Sequence, residues 1–294
     1  MPELPDVELY REALAERVAG HALLRVELRN PFVLRTAVPP IDAITSKVVR
    51  SIRRLGKRIV LGLDDDYFLV AHLMIAGRLR WLNEKAKVPA RITLAVLHFD
   101  NGRLAFTEAG SKRRASLHLV LGETALRAFD MGGLEVLTAE FEAFDTRLRS
   151  ENHTLKRALT DPRLFSGIGN AYSDEILHRA KLSPLALTTK LDLDARRALY
   201  VATRGVLDDW SRWLRNEAKG EFPQNVTAFR PGMAVHGRYG QPCPVCGSPV
   251  QRIVYAENEA NYCATCQTGG RLLADRSLSR LLHDSWPKSI DELG

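Results

Sequence analysis

All four cysteines of this 294-residue chain fall in one short stretch, as Cys243-Pro-Val-Cys246 and Cys263-Ala-Thr-Cys266, two CxxC knuckles sixteen residues apart. Two such turns bring four thiolates into a tetrahedron around Zn²⁺ with no further ligand needed. Chance spacing, or an iron site on the same sulfurs, is the alternative. Four cysteines leave no open position for water or substrate, so the expected metal is one structural Zn²⁺. Its work is mechanical: it stiffens a small hairpin, Val250 to Tyr255 and the stretch near Tyr262, enough to touch a partner. Arg238, Arg252 and Arg271 stand around it; they suit phosphate contacts, or an ordinary solvated surface.

A second candidate lies between two helical patterns. The helix ending at Asp161-Pro162 is followed by a turn region with Gly167-Ile-Gly169, and a new helix starts near Asn170. The glycines open backbone conformations closed to other residues and let an anion approach the amides of the second helix. Asn170 can donate to such a phosphate. A tight helical corner with no ligand is the plainer reading. A third candidate is the chain start. Pro5 and Asp6 open a helix in which Val7, Tyr10, Leu14 and Val18 share a face and which Gly20 can end. A first residue tied this closely to a buried helix can place a terminal amine precisely.

The elements that must hold these residues differ along the chain. From about 22 to 120 the signals are strand-like: Ile59–Leu63 and Tyr67–Leu73 flank an Asp-Asp-Asp turn, and Ile92–Phe99 and Leu104–Phe106 flank Asn101-Gly102. These hairpins predict a β-sandwich with the first helix against it. No strand, glycine turn and helix occur in nucleotide-binding order. Helical patterns follow over roughly 138–149, 151–160, 170–180 and 192–216, and a short closing helix is expected at 275–284. The expected fold is multidomain α and β. It comprises an N-terminal helix plus antiparallel β-sandwich over 1–131, a helical domain over 132–230, and a zinc ribbon with C-terminal tail over 231–294.

A composition of 45% hydrophobic and 26% charged residues is that of a folded globular chain, and a net charge of +7 favours a polyanionic partner, nucleic acid or a membrane surface. No apolar run approaches the roughly 20 residues that cross a bilayer. The acidic start (Glu3, Asp6, Glu8, Glu12, Glu16) does not fit a secretory leader, so a cytoplasmic, nucleoid-associated monomer is expected.

The Pro2-Glu-Leu-Pro-Asp-Val-Glu8 start, the Gly167-Ile-Gly-Asn-Ala-Tyr-Ser-Asp-Glu-Ile-Leu177 corner and the cysteine module, in this order, closely resemble the formamidopyrimidine-DNA glycosylase and endonuclease VIII family, nearer its formamidopyrimidine branch. The resemblance covers nearly the whole chain, from Pro2 to Gln267. It implies a β-sandwich and a helical zinc-ribbon domain flanking a cleft for double-stranded DNA with a damaged base or abasic site. It also implies a helix–two-turns–helix unit around Asn170. By the same resemblance Pro2, once Met1 is removed, attacks C1′ of the lesion nucleotide and Glu3 moves protons at the deoxyribose. Lys57 and Asn170 hold phosphates beside the lesion, and Lys156 falls near a family lysine. His72 is the strand histidine from which the intercalating wedge is counted. α-Amino groups titrate near pH 8, so such an amine keeps a neutral, nucleophilic fraction.

The chain departs from the family pattern in several places. The zinc-hairpin arginine that meets lesion phosphates is here Asn258, between Glu257 and Glu259, which removes a charged fork and predicts strand cleavage mainly by β-elimination. The wedge methionine position is Ile75, still apolar enough to plug a vacated stack. The usual aromatic wedge loop is replaced by the basic stretch ending in Arg113-Arg114, either of which can serve there. Asp6 stands where a longer Glu is common, and the shorter carboxylate can alter lesion-pocket contacts. The function expected is a bifunctional DNA glycosylase and abasic-site lyase for oxidised or ring-opened bases. The alternatives are a catalytically weak binder of abasic or distorted DNA, and a zinc-ribbon factor without lesion specificity.

Overall fold

The computed structural model describes residues 1–83, 86–110, 112–224, 226–227, 230–255, 258–274 and 288–293. They form two compact units, Met1–Met131 with Trp210–Ala228, and Gly132–Asp209 with Phe229–Gly294.

Unit 1 begins with helix α1 (Leu4–Val18), which carries Pro5 in its first turn, where a missing N–H costs nothing. Val7, Tyr10, Leu14 and Val18 are all completely buried. Burial of side chains of this size contributes about 1.5–3 kcal/mol each, which pins the helix and the residues before it. The chain leaves the helix at Ala19 and turns at Gly20, whose φ of 80° is one that L side chains rarely adopt.

Eight strands follow: β1 (Ala22–Leu28), β2 (Lys47–Leu55), β3 (Arg58–Leu63), β4 (Tyr67–His72), β5 (Gly77–Leu82), β6 (Thr93–Phe99), β7 (Gly102–Glu108) and β8 (Ser116–Leu121). Their order is β5-β7-β6-β1-β2-β3-β4-β8, every pairing antiparallel. β1 and β2 share only the pairs Ala22–Val48 and Leu23–Lys47, a weak seam at which the sheet folds over. Its halves then face one core: Leu79, Leu97 and Phe106 from one side, Ile59, Leu69 and Leu117 from the other, with α1 against both. This is the expected sandwich, and both expected hairpins, β3–β4 and β6–β7, are present.

Unit 2 contains α3 (Phe141–Arg149), α4 (Leu155–Thr160), α5 (Asn170–Arg179) and most of α6 (Leu193–Ala218); a short α2 (Glu123–Arg127) precedes them in unit 1. Phe144 centres the helical core, its ring 4.9 Å from that of Phe165 and 5.4 Å from that of Tyr200. α4 starts later than its pattern suggests because the preceding residues pair with a distant segment: Thr188 N donates to His153 O and Leu155 N to Ala186 O. The zinc ribbon adds the hairpin β9 (Gln251–Tyr255) and β10 (Asn258–Tyr262) and the one-turn α7 (Ala264–Thr268).

The zinc ribbon belongs with the helices of unit 2, where the Glu175 carboxylate accepts the amides of Ala234, Val235 and His236. The stretch 210–228 joins unit 1, where Phe222 and Val226 are buried in the sandwich core and the Phe222 ring lies 5.8 Å from that of Tyr10. The expected closing helix at 275–284 lies outside the described residues.

Candidate active site and zinc centre

In unit 1 the first turn of α1 builds a site around the chain start. Glu3 is the N-cap, 2% exposed, and forms a capping box with Asp6: its amide donates to Asp6 Oδ2 at 2.9 Å while its carboxylate accepts the Asp6 amide. Asp6 is fully buried, so its shorter carboxylate serves to fix Glu3. Pro2 is buried. The terminal amine is that of Met1, next to the buried Pro2. Burial holds its pKa below the ordinary value, with Arg78 and Lys57 pushing the same way and Glu3 and Asp6 opposing. A depressed amine pKa raises the neutral fraction, the form that attacks carbon.

Lys57 follows Gly56 in the β2–β3 turn, where a φ of 58° requires glycine-like backbone. Arg54 braces this turn: Nη1 donates to Gly56 O at 2.9 Å, and Nε lies 3.3 Å from Glu8 Oε2 on α1. The helix bearing Glu3 and the turn bearing Lys57 are thus tied through one guanidinium. His72 ends β4 opposite Arg58 and Ser116. Burial first, then Arg58, Lys57 and His118, lower its pKa to about 4, so its ring is neutral at physiological pH.

Ile75 lies on the turn after β4 and is 59% exposed. The turn is tight: Gly77 N donates to Leu73 O, Met74 has a φ of 51°, and a Cβ on Gly77 would sit 2.2 Å from Leu73 O. Arg78 holds it by donating to Ile75 O and Gly77 O. Arg78 was not among the residues singled out from sequence, yet it both braces the exposed Ile75 and bears on the terminal amine. Arg113 and Arg114 are exposed; Arg113 donates to Arg91 O, and the buried Glu108 carboxylate accepts the amides of Arg114 and Ala115. That contact fixes the end of the basic loop to β7.

In unit 2, Asn170 opens α5, and its Nδ2 donates to Glu259 O of β10 at 2.8 Å. Lys156 lies close to Asn170. Its ammonium is buried and committed, 2.5 Å from Asp174 Oδ1 and 2.6 Å from Asn170 O. Asp174, with no exposed side-chain surface, also meets His236 Nδ1 at 2.8 Å. Lys156 therefore supports the residue that opens α5. Asn258 begins β10 opposite Tyr255, one residue from Glu259, whose carboxylate lies 3.4 Å from Arg252 Nη1.

The four cysteine sulfurs lie within 4.8 Å of one another. Cys243 and Cys266 are 4.0 Å apart and Cys246 and Cys263 3.4 Å, bracketing the ~3.8 Å edge of a tetrahedron with Zn–S bonds of about 2.3 Å. Gly247, with a φ of 78°, closes the first knuckle through its amide to Cys243 O; Cys263 caps α7 in the second. The donor set fits one structural zinc.

A β-sandwich opened by a buried Pro2 and Glu3, with a two-turn helical corner and a four-cysteine ribbon, defines the class of helix–two-turns–helix zinc-ribbon proteins. Three family models match in series: the formamidopyrimidine-DNA glycosylase N-terminal domain over residues 1–115, its H2TH domain over 133–210, and the zinc finger found in FPG and IleRS over 240–269. The chain belongs to the formamidopyrimidine-DNA glycosylase family. It is 36% identical to the formamidopyrimidine-DNA glycosylase of Heliobacterium modesticaldum, over 91% of this chain and 100% of that one. It is 34% identical to the Thermus thermophilus protein of the same name, over 92% and 100%. Among solved structures, Lactococcus lactis Fpg with Fapy-dG-containing DNA aligns at a TM-score of 0.80 and 25% identity, covering 90% of this chain and 100% of that one. The same protein with abasic-site DNA aligns at 0.80 and 25%, covering 90% and 99%. No helix among the described residues is long and apolar enough to cross a membrane.

Proposed function

We propose that this protein is a DNA glycosylase and abasic-site lyase that acts as a monomer on the cytoplasmic chromosome, removing oxidised or ring-opened bases. The observation that carries this reading is the chain start, a buried Pro2 beside a capped, buried Glu3, with Lys57 and Arg78 acting on the terminal amine. The relatives' name and the damaged DNA bound by the Lactococcus protein support it.

The neutral Pro2 amine attacks C1′ as the bond from C1′ to the base breaks, the base leaving with the electron pair and a proton. The sugar ring then opens, its O4′ taking a proton, to give an iminium between Pro2 and C1′. Glu3 is placed to hand over these protons. The iminium acidifies C2′; removal of that proton expels the 3′ phosphate, and water then frees Pro2 by hydrolysis. Lys57 and Asn170 hold the phosphates beside the flipped nucleotide, Asn170 by turning its amide from Glu259 O. Ile75, with Arg113 and Arg114 near the opposite base, fills the vacated stack. Zinc stiffens the hairpin and takes no part in bond breaking. Cleavage stops mainly at β-elimination because Asn258 stands where a guanidinium is needed for the second step.

The test is borohydride reduction of the processed, Met1-free protein on a duplex with one abasic site. A covalent protein–DNA adduct is expected, and it should vanish in Pro2→Gly. Saturable lesion binding with no adduct would leave a binding protein in place of an enzyme.

A further inference from the structure

His178 lies in the last turn of α5, 6% exposed, and its Nε2 is 3.3 Å from Cys243 Sγ, itself only 3% exposed. With zinc bound, Cys243 is a thiolate and has no proton to give. A hydrogen bond between these atoms then has one possible direction: the imidazole N–H donates to sulfur. Four thiolates around Zn²⁺ carry a net charge of two minus, and Cys263 at 0% exposure is as dry as Cys243. A buried anion of this kind is stabilised by N–H donors aimed at its sulfurs. The Cys266 amide, 3.5 Å from Cys263 Sγ, is one such donor, and His178 supplies another from a different element.

We infer that His178 is an outer-sphere holder of the zinc, donating Nε2–H to the Cys243 thiolate and so fastening the metal centre to helix α5. Two further contacts give the fastening its reach. Gln267 accepts the Cys263 amide through Oε1 at 2.8 Å and donates through Nε2 to Leu182 O, just beyond α5. At the other end of the helix Asn170 donates to Glu259 O of β10. Helix α5 and the residues that follow it are thus attached to both knuckles and to the hairpin, and His178 is the attachment that reaches a ligating sulfur. The plainer reading, a histidine that merely fills space between α5 and the ribbon, predicts no particular ring tautomer and no effect on metal retention once volume is kept.

The test uses the zinc-loaded full-length protein. Nitrogen-15 NMR of the His178 ring is expected to show Nε2 protonated and Nδ1 bare; a ring with its proton on Nδ1 alone overturns the inference without any variant. Zinc release to excess chelator is expected to be about tenfold faster or more in His178→Phe, the scale on which outer-shell partners act on metal affinity. His178→Gln, which keeps an N–H donor, should recover part of the retention. Release from His178→Phe at the wild-type rate, or from His178→Gln as fast as from His178→Phe, refutes the donor role. Should His178→Phe not fold, the tautomer and the comparison of His178→Gln with wild type decide.

Discussion

Replacing Lys156 by methionine separates two roles that sequence alone cannot. The side chain keeps its length and apolar stem but loses the ammonium that neutralises Asp174, a carboxylate with no exposed surface. Breaking a buried pair by removing one partner costs about 3–5 kcal/mol, because the surviving charge stays dehydrated. His236 Nδ1 remains 2.8 Å from Asp174 as a hydrogen-bond partner, so the lower end, about 3 kcal/mol, is expected. Against a total stability of about 5–15 kcal/mol this is large, and a shift of the urea midpoint will show it. Adding Asp174→Asn should return much of the loss, since the stranded charge is gone. DNA binding supplies the second measurement. If Lys156 touched a phosphate, its removal would lower the slope of log affinity against log salt by about 0.9. If it supports Asn170 from within, affinity falls at every salt concentration and the slope stays. A reduced slope with an unmoved urea midpoint would refute the buried-support reading.

Three other outcomes follow from the same geometry. His72 has a folded pKa of about 4 against 6.5 unfolded, so its contribution is full above 6.5 and is lost as pH falls toward 4. His72→Gln should therefore lose about 2 kcal/mol less than wild type between pH 7.5 and 5, read from urea midpoints; equal losses would deny the depressed pKa. Lys57→Ala should weaken binding to abasic duplex and reduce the salt slope by about one, and an unchanged slope would remove Lys57 from the phosphate contacts. Wild-type protein on a 5′-labelled abasic duplex should accumulate the unsaturated aldehyde, and Asn258→Arg should shift product toward 3′-phosphate. Losing an aimed donor at a developing oxyanion costs about 2.7–4 kcal/mol, so early 3′-phosphate from wild type would show that Asn258 is not limiting.

What was legible in the sequence was local. The β3–β4 and β6–β7 hairpins announce themselves through alternating apolar residues around short turns, and the zinc ligands through spacing alone. The less legible features depend on contacts between residues far apart in the chain. Lys156 stands out in the sequence only by its place near a family lysine, and nothing in its spacing points to Asp174, eighteen residues on, as its buried partner. Arg78 looks like any outward strand residue, and only the position of the chain start gives it a role. The union of the zinc ribbon with the helices rests on Glu175 meeting three amides about sixty residues later, a contact with no periodicity to betray it. Phe222 and Val226 follow a long helix and lack a strand or helix pattern of their own, so nothing in their spacing points back to the N-terminal core.

That return of residues 210–228 to the first unit matters for how the protein is made. A ribosome delivers the whole sandwich, residues 1–131, long before Phe222 emerges, and in the interval the surface of Tyr10 that Phe222 covers is bare. Glu12 likewise waits for the two-pronged grip of Arg215, and the Arg17 guanidinium for the carbonyl of Gly220. The nascent N-terminal unit is therefore sealed only after the helical segment 132–209 has been synthesised, and α6, which carries the chain back, has to form before the seal can close. An arrest of translation between residues 131 and 210 would strand an apolar face beside the chain start, the part of the molecule on which its chemistry depends.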